Sequence, residues 1–198
     1  MSTPATEIYL LRHGRTRMNA KGVLQGRGIN PPLDAEGEGQ AACVHAWLCH
    51  RGLAFDEALS SPLLRARQTA AIALGLPDAG SSALKSDDRL LEMDYGPYEG
   101  YDIATHDPAV EAFFQDFEHV PAPAGMEGLD HVQARAASLM HDIARRPANG
   151  CAHRILITCH AIILKGFLEE LDPSSQGVWW GRFVGNCCLF RAVLPADG

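Results

Sequence analysis

The sequence predicts an α/β fold: a three-layer α/β/α sandwich on a mainly parallel sheet, with a small helical cap inserted at about residues 95–126. Three observations carry this expectation. Short apolar runs of strand length alternate with longer segments of helical period, the pattern of parallel crossover units. The helical segments carry start and stop signals at their ends. The alternation breaks off near residue 95, where an aromatic, proline-bounded stretch intervenes, and resumes near residue 127. A length of 198 residues fits a single domain over 1–198 and suffices for a substantial core.

The elements follow in order. Residues 7–12 (EIYLLR) form a buried strand. Residues 35–50 form a helix, with Asp34 as N-cap and Gly52 as terminator. Residues 55–59 form a short strand, and 62–74 a helix opened by Pro62 and closed by Gly75. Residues 83–86 suit another strand. Asp107-Pro108 opens a helix in which Val110, Phe113, Phe114 and Phe117 make one apolar stripe. Prolines 121 and 123 break it, and the stretch from Tyr95 to Met126 is expected to hold two helices lying over one sheet edge. Residues 127–145 form a longer helix with Leu129, Val132, Ala136, Leu139, Met140 and Ile143 inward. Residues 154–158 (RILIT) form a strand, 161–171 a helix, and 183–193 a final strand.

Composition excludes several classes. Hydrophobic content of 46% and charged content of 21% are ordinary for a globular domain. A net charge of −7 argues against nucleic acid or an anionic membrane surface as partner. No stretch approaches the roughly 20 apolar residues that span a bilayer. Residues 8–11 are too few for a secretory core and run into arginines, so a cytoplasmic location is expected. The six cysteines then read as reduced thiols. Cys151-x-His153 and Cys159-His160 lack a second ligand pair of suitable spacing, so no metal is expected.

In such sheets ligands sit beyond the carboxyl ends of the strands. His13 follows the first strand and His160 follows RILIT. Arg12 adjoins His13, and Arg65 lies in the first turn of the helix after the second strand. Two arginines and two histidines on one edge suit an anion, because guanidinium forks match phosphate oxygens.

These residues stand in a recognisable setting. RHGRTRMN, from Arg12, resembles the RHGxTxxN signature of the histidine phosphatase superfamily, the phosphoglycerate-mutase-like group. PLDAEGEGQA, SSPLLRARQTA, LLEMDYGPYEG, AGMEGLDHVQAR and TCHA are similar to further motifs of that family in the same order, from residue 11 to 161. The resemblance implies a phosphomonoester hydrolase acting on a small metabolite through a phosphohistidine, without cofactor or metal. His13 would be the nucleophile, oriented by a hydrogen bond from its other nitrogen to a backbone carbonyl. Arg12, Arg65 and His160 would bind the non-bridging oxygens, with Asn19 as a neutral donor. Gln25, Gly26 and Ala161 would also contact substrate, and the first amides of the helix after His160 would add a positive dipole end. Glu92 would be the acid and base. Asp94 is a weaker candidate for that role, and Glu99 reads as structural. Cys159 and Ala161 depart from the family's Ser or Thr and Gly.

A mutase would need a grip on a second phosphate. The span between Arg89 and Arg135 holds no Lys or Arg and ten acidic residues. Such an acidic cap is expected to repel a polyanion and to favour a neutral, cationic or aromatic leaving group. Hydrolysis is therefore expected over the alternative, a cofactor-dependent mutase. An inactive regulatory or binding module is the alternative of another class. The presence of Arg12, His13, Arg65, Glu92 and His160 weighs against it.

Overall fold

The computed structural model describes residues 6–145, 153–175 and 177–194. Strands β1 (Thr6–Arg12), β2 (Glu57–Ser60), β3 (Leu84–Ser86), β4 (His153–Cys159) and β5 (Leu189–Leu194) form one sheet in the order β3-β2-β4-β1-β5. β1 pairs in parallel with β4, β4 with β2 and β2 with β3; β5 alone is antiparallel, on β1. The expected mainly parallel sheet is present. β4 is central and apolar, with Ile155, Leu156 and Ile157 fully buried, as a strand covered on both faces requires.

Alternation along β1 sorts the two faces. Ile8 and Leu10 enter the cluster formed with Val132, Leu139, Ile163 and Phe167, which belong to α5 (Leu129–Ala144) and α6 (Ala161–Leu171). Tyr9 and Leu11 pack on Val44, Leu48 and Ala73, which belong to α2 (Ala35–His50) and α3 (Leu64–Leu74). Two helical layers thus enclose the sheet. A short α1 (Arg17–Ala20) follows β1, held by a Thr16–Asn19 capping box.

The ends of α2 and α6 fall where the sequence predicts them. Asp34 accepts the Gly37 N–H at 2.8 Å and stops the helix from starting earlier. Two expectations need correction. The stretch 95–126 contains one α-helix, α4 (Pro108–Gln115), and two single 3₁₀ turns, Gly96–Tyr98 and Ile103–Thr105, rather than two helices. Glycines at positive φ (Gly96, Gly100) and Asx caps from Asp102 and Asp107 chop it into turns. The last strand begins at Leu189, not 183, because Phe183 to Cys188 line a loop whose Cys187 takes φ 55°. Cys151 lies outside the described residues.

One close approach shapes the loop after β1. A Cβ on Gly37 would stand 2.0 Å from the Arg15 carbonyl oxygen, and one on Gly14 would stand 2.5 Å from the Gly37 oxygen. The α2 N-terminus and the loop therefore meet backbone to backbone. Gly37→Ala is expected to destabilise the fold by about 2–3 kcal/mol through overpacking. Urea unfolding reads this as a lowered midpoint, and an unchanged midpoint would contradict the close approach.

Candidate active site

Five segments converge at the carboxyl edge of β1 and β4. His13 directly follows β1 and is buried. Its Nδ1 lies 2.7 Å from the Gly14 carbonyl oxygen, so Nδ1 carries the proton and donates it. The other nitrogen, Nε2, has no hydrogen-bond partner among the described residues. Burial, with Arg65 and Arg12 nearby, holds the ring well below the usual imidazole range, so it stays neutral. The backbone beneath is fixed independently. Gly14 N–H donates to Thr69 Oγ1 at 2.9 Å, and the His13 carbonyl accepts from Asn186 Nδ2 at 3.0 Å and Cys187 N–H at 3.3 Å.

A cavity of ≈ 280 Å³ opens here, lined among others by Arg12, His13, Asn19, Gln25, Glu92 and Ala161. Arg12 donates through Nη1 to the Val184 carbonyl, while its buried Nε has no partner among the described residues. Gln25 accepts from Thr16 Oγ1 at 2.8 Å, and its buried Nε2 is likewise unpartnered. The amide oxygen of Asn19 is engaged by Thr16 and by Asn186 at 3.3 Å, which leaves its Nδ2 donors for the cavity. Orphaned donors on two residues that line one cavity suit an acceptor-rich ligand.

Arg65 and His160 are placed differently from expectation. Both are fully buried, and neither lines this cavity. His160 stands behind His13, ring centroids 5.1 Å apart. Arg65 Nε donates to His160 Nδ1 at 3.2 Å, and its Nη atoms donate to the carbonyls of Ile29, Gln25 and Gly26. Since His160 Nδ1 accepts, Nε2 carries the proton and donates to Ser61 Oγ at 2.8 Å. In this arrangement both nitrogens of His160 are engaged, and of the five N–H groups of Arg65 four are engaged, which leaves one on Nη1. Gly26 also stays out of the cavity: its N–H is committed to Glu99 and its carbonyl to Arg65.

Glu92 lines the cavity and is buried. Its Oε1 accepts from the amides of Met93 at 3.0 Å, Ile162 at 3.1 Å and Ile163 at 3.3 Å, whereas Oε2 takes only Ile162, at 3.2 Å. The carboxylate therefore occupies most of the helix N-terminus that the sequence reserves for phosphate. Ala161, whose N–H precedes those two amides, remains at the cavity wall. The Glu92 backbone is tied down by Arg135, which donates to the carbonyls of Arg89 and Leu91 and pairs with Glu127 through two nitrogens. Glu127, left without a role by the sequence, also accepts the Asp94 N–H at 3.0 Å.

The acidic segment does not make an acidic site. Asp94 pairs with Arg27, Glu99 accepts amides of Gly26, Gly28 and Tyr95, and Asp102 and Asp107 cap helical turns. Glu111 and Asp116 contact His106 and His119. Of the ten carboxylates in that span, Glu92 lines the cavity, and two cations unmarked by the sequence join it, Lys165 and Arg182. Lys165 stands four residues after Ala161, on the same face of α6, and that spacing is the signal that points to it. Asn186 carried no such signal, because its place depends on the loop that leads into β5. Among the described residues there is no cluster of three metal-ligating side chains, and no helix is long and apolar enough to cross a membrane.

His13 and His160 are both held well below the usual imidazole range by burial. The unfolded chain takes up protons near pH 6.5 that the folded protein refuses. The stability these residues confer is therefore present above about pH 6.5 and lost as pH falls through it, at up to about 1.4 kcal/mol per pH unit for each. Urea midpoints measured between about pH 5 and 7 are expected to drop on the acid side. A smaller acid-side drop in the His160→Asn variant ties that slope to His160.

Comparison with known proteins follows the same lines. A bifunctional protein of Mycobacterium tuberculosis is 35% identical over 98% of this chain and 51% of its own length. The chain thus spans about half the length of the first curated relatives it matches. An adenosylcobalamin/alpha-ribazole phosphatase of Salmonella typhimurium is 32% identical over 91% of this chain and 87% of its own. The crystal structure of a phosphoglycerate mutase from Bacillus anthracis shares the fold, with a TM-score of 0.82 at 22% identity over 98% of this chain and 90% of that one. The profile of the histidine phosphatase superfamily (branch 1) matches residues 8–198, and the chain belongs to that family.

Proposed function

We propose that the protein hydrolyses phosphomonoesters of small metabolites through a phosphohistidine at His13. The observation that carries this reading is the His13 ring itself: neutral, fixed through Nδ1, with Nε2 unpartnered, beside a cavity lined by residues that carry orphaned donors. In the first step Nε2 attacks phosphorus and the bond to the leaving oxygen breaks. Glu92 gives that oxygen a proton, through Oε2, the oxygen with fewer internal bonds. In the second step Glu92 takes a proton from water, the water oxygen bonds phosphorus, and the P–N bond breaks to release phosphate. Arg12 Nε, Gln25 Nε2, Asn19 and the Ala161 N–H hold the transferring group, and the charge of Arg65 behind His13 adds to their field. Arg65 and His160 engage the phosphoryl oxygens by rearranging around Ser61.

The site needs no metal or cofactor for these steps, since arginine and amide donors supply the charge. The chain acts as one domain over 1–198. Val110, Phe113 and Phe117 share a cluster with Ile8 and Leu10, which supports treating 95–126 as a wall of that domain. A cytoplasmic setting agrees with the free cysteines 43, 49, 159, 187 and 188. The absence of Lys and Arg between Arg89 and Arg135 favours hydrolysis over mutase chemistry. Screening a panel of phosphomonoesters with trapping of an acid-labile phosphoenzyme tests the reading. Phosphate release with a trapped intermediate supports it, and no turnover of any ester overturns it. Efficient conversion of 3-phosphoglycerate to 2-phosphoglycerate, primed by 2,3-bisphosphoglycerate, would favour a mutase.

A further inference from the structure

We propose that Lys165, assisted by Arg182, is a specificity-determining cation that binds a carboxylate on the leaving group of the substrate. The inference deepens the phosphomonoesterase reading and rests on it for the position of the phosphoryl group. Lys165 lies on α6 with only 7% of its surface exposed, yet it lines the same cavity as His13. Among the described residues one hydrogen bond engages it, to the Trp180 carbonyl at 2.7 Å, and Nζ lies 5.0 Å from the centroid of the Phe117 ring. An ammonium has three donors, so two remain. Burying a charge is costly, and burial pulls the Lys165 ammonium down to about 8 even though the Glu92 carboxylate opposes the shift. Arg182 lines the cavity too, from an exposed position where its guanidinium is 5.8 Å from the Trp179 ring.

Charge accounting points the same way. A phosphoryl dianion is answered by Arg12 and by Arg65 behind His13. The Glu92 carboxylate faces Arg12, Arg65 and Lys165 together. Against the dianion and this one carboxylate stand four cations, Arg12, Arg65, Lys165 and Arg182, so one positive charge is left over. The other walls, including Leu24, Tyr95 and Phe114, offer an anion no comparable partner. The cavity, at ≈ 280 Å³, lies at the small end for ligand sites and suits a compact acid group rather than a second bulky one. This reverses the preference that the acidic sequence span suggests.

Calorimetry on the His13→Ala protein tests this without turnover. The ligands are ω-phosphonooxy carboxylates with chains of two to four carbons, each paired with its neutral carboxamide. At the best-fitting length the acid is expected to bind at least about tenfold more tightly than the amide, as a charged hydrogen bond would give. Adding Lys165→Met should bring the ratio to within about twofold, and adding Arg182→Gln should lower it by a smaller factor. Circular dichroism checks that Lys165→Met remains folded; if it does not, the parent ratio and the exposed Arg182→Gln decide. An acid-to-amide ratio near one at every length, or a preference untouched by the variants, overturns the proposal. No binding of either ester overturns the carboxylate site, and the reading beneath it falls as well if the wild type turns over no phosphomonoester. Wild-type turnover of phosphomonoesters with a ratio near one overturns the carboxylate site alone. A preserved ratio without wild-type turnover overturns the hydrolase alone.

Discussion

Replacing His13 by alanine is expected to lower phosphomonoester turnover by about four orders of magnitude or more. Among the described residues that line the cavity, His13 is the one imidazole, its Nε2 is unpartnered, and no serine, threonine or cysteine stands beside it to replace it. The fold should survive the change. The ring makes one hydrogen bond, to its neighbour's carbonyl, while the loop backbone is held by Thr69, Asn186 and Cys187. Phosphate release and urea unfolding, measured on the same preparation, separate the two effects. Activity within about tenfold of the parent, in a folded variant, would remove His13 from the nucleophile's role.

Arg65→Ala is expected to act on stability as strongly as on activity. The side chain is fully buried and donates to His160 Nδ1 and to the carbonyls of Ile29, Gln25 and Gly26. Removing it leaves those acceptors without partners and frees the loop that carries Gln25. A loss of about 3–4 kcal/mol is expected in urea unfolding, near the upper range for single substitutions. Arg65→Lys should recover little, because a single ammonium cannot span acceptors arranged for a planar fork. A variant as stable as the parent would show that the arginine is dispensable to the loop.

The sequence was most legible where local chemistry and tertiary packing agree. Asp34 caps α2 as its side chain predicts, and the run after His160 makes a helix over the expected residues. It was least legible where apolar residues serve a cavity instead of the sheet. Phe183 and Val184 read as strand because they are apolar, yet they face the site, and strand pairing starts only at Leu189. The motif residues Arg12, His13, Asn19 and Glu92 do meet at one cavity. Arg65 and His160 lie behind it, a depth that spacing along the chain does not encode. Counting charge by segment misled for a related reason: carboxylates such as Asp102 and Asp107 are spent on local amides, while Lys165 comes from a helix that reads as core.

The bond from Arg12 to the Val184 carbonyl joins residues 172 positions apart, and Asn186 reaches back 173 positions to His13. During synthesis the arginine and histidine emerge long before Val184 and Asn186 and wait for them. A nascent polypeptide ending before Val184 would carry every motif yet hold no finished anion pocket. Contacts of such separation close late, after the local helices have formed. Chemical competence is thus acquired at the end of folding, and a ligand that binds the pocket would act as a clamp between the first strand and the last.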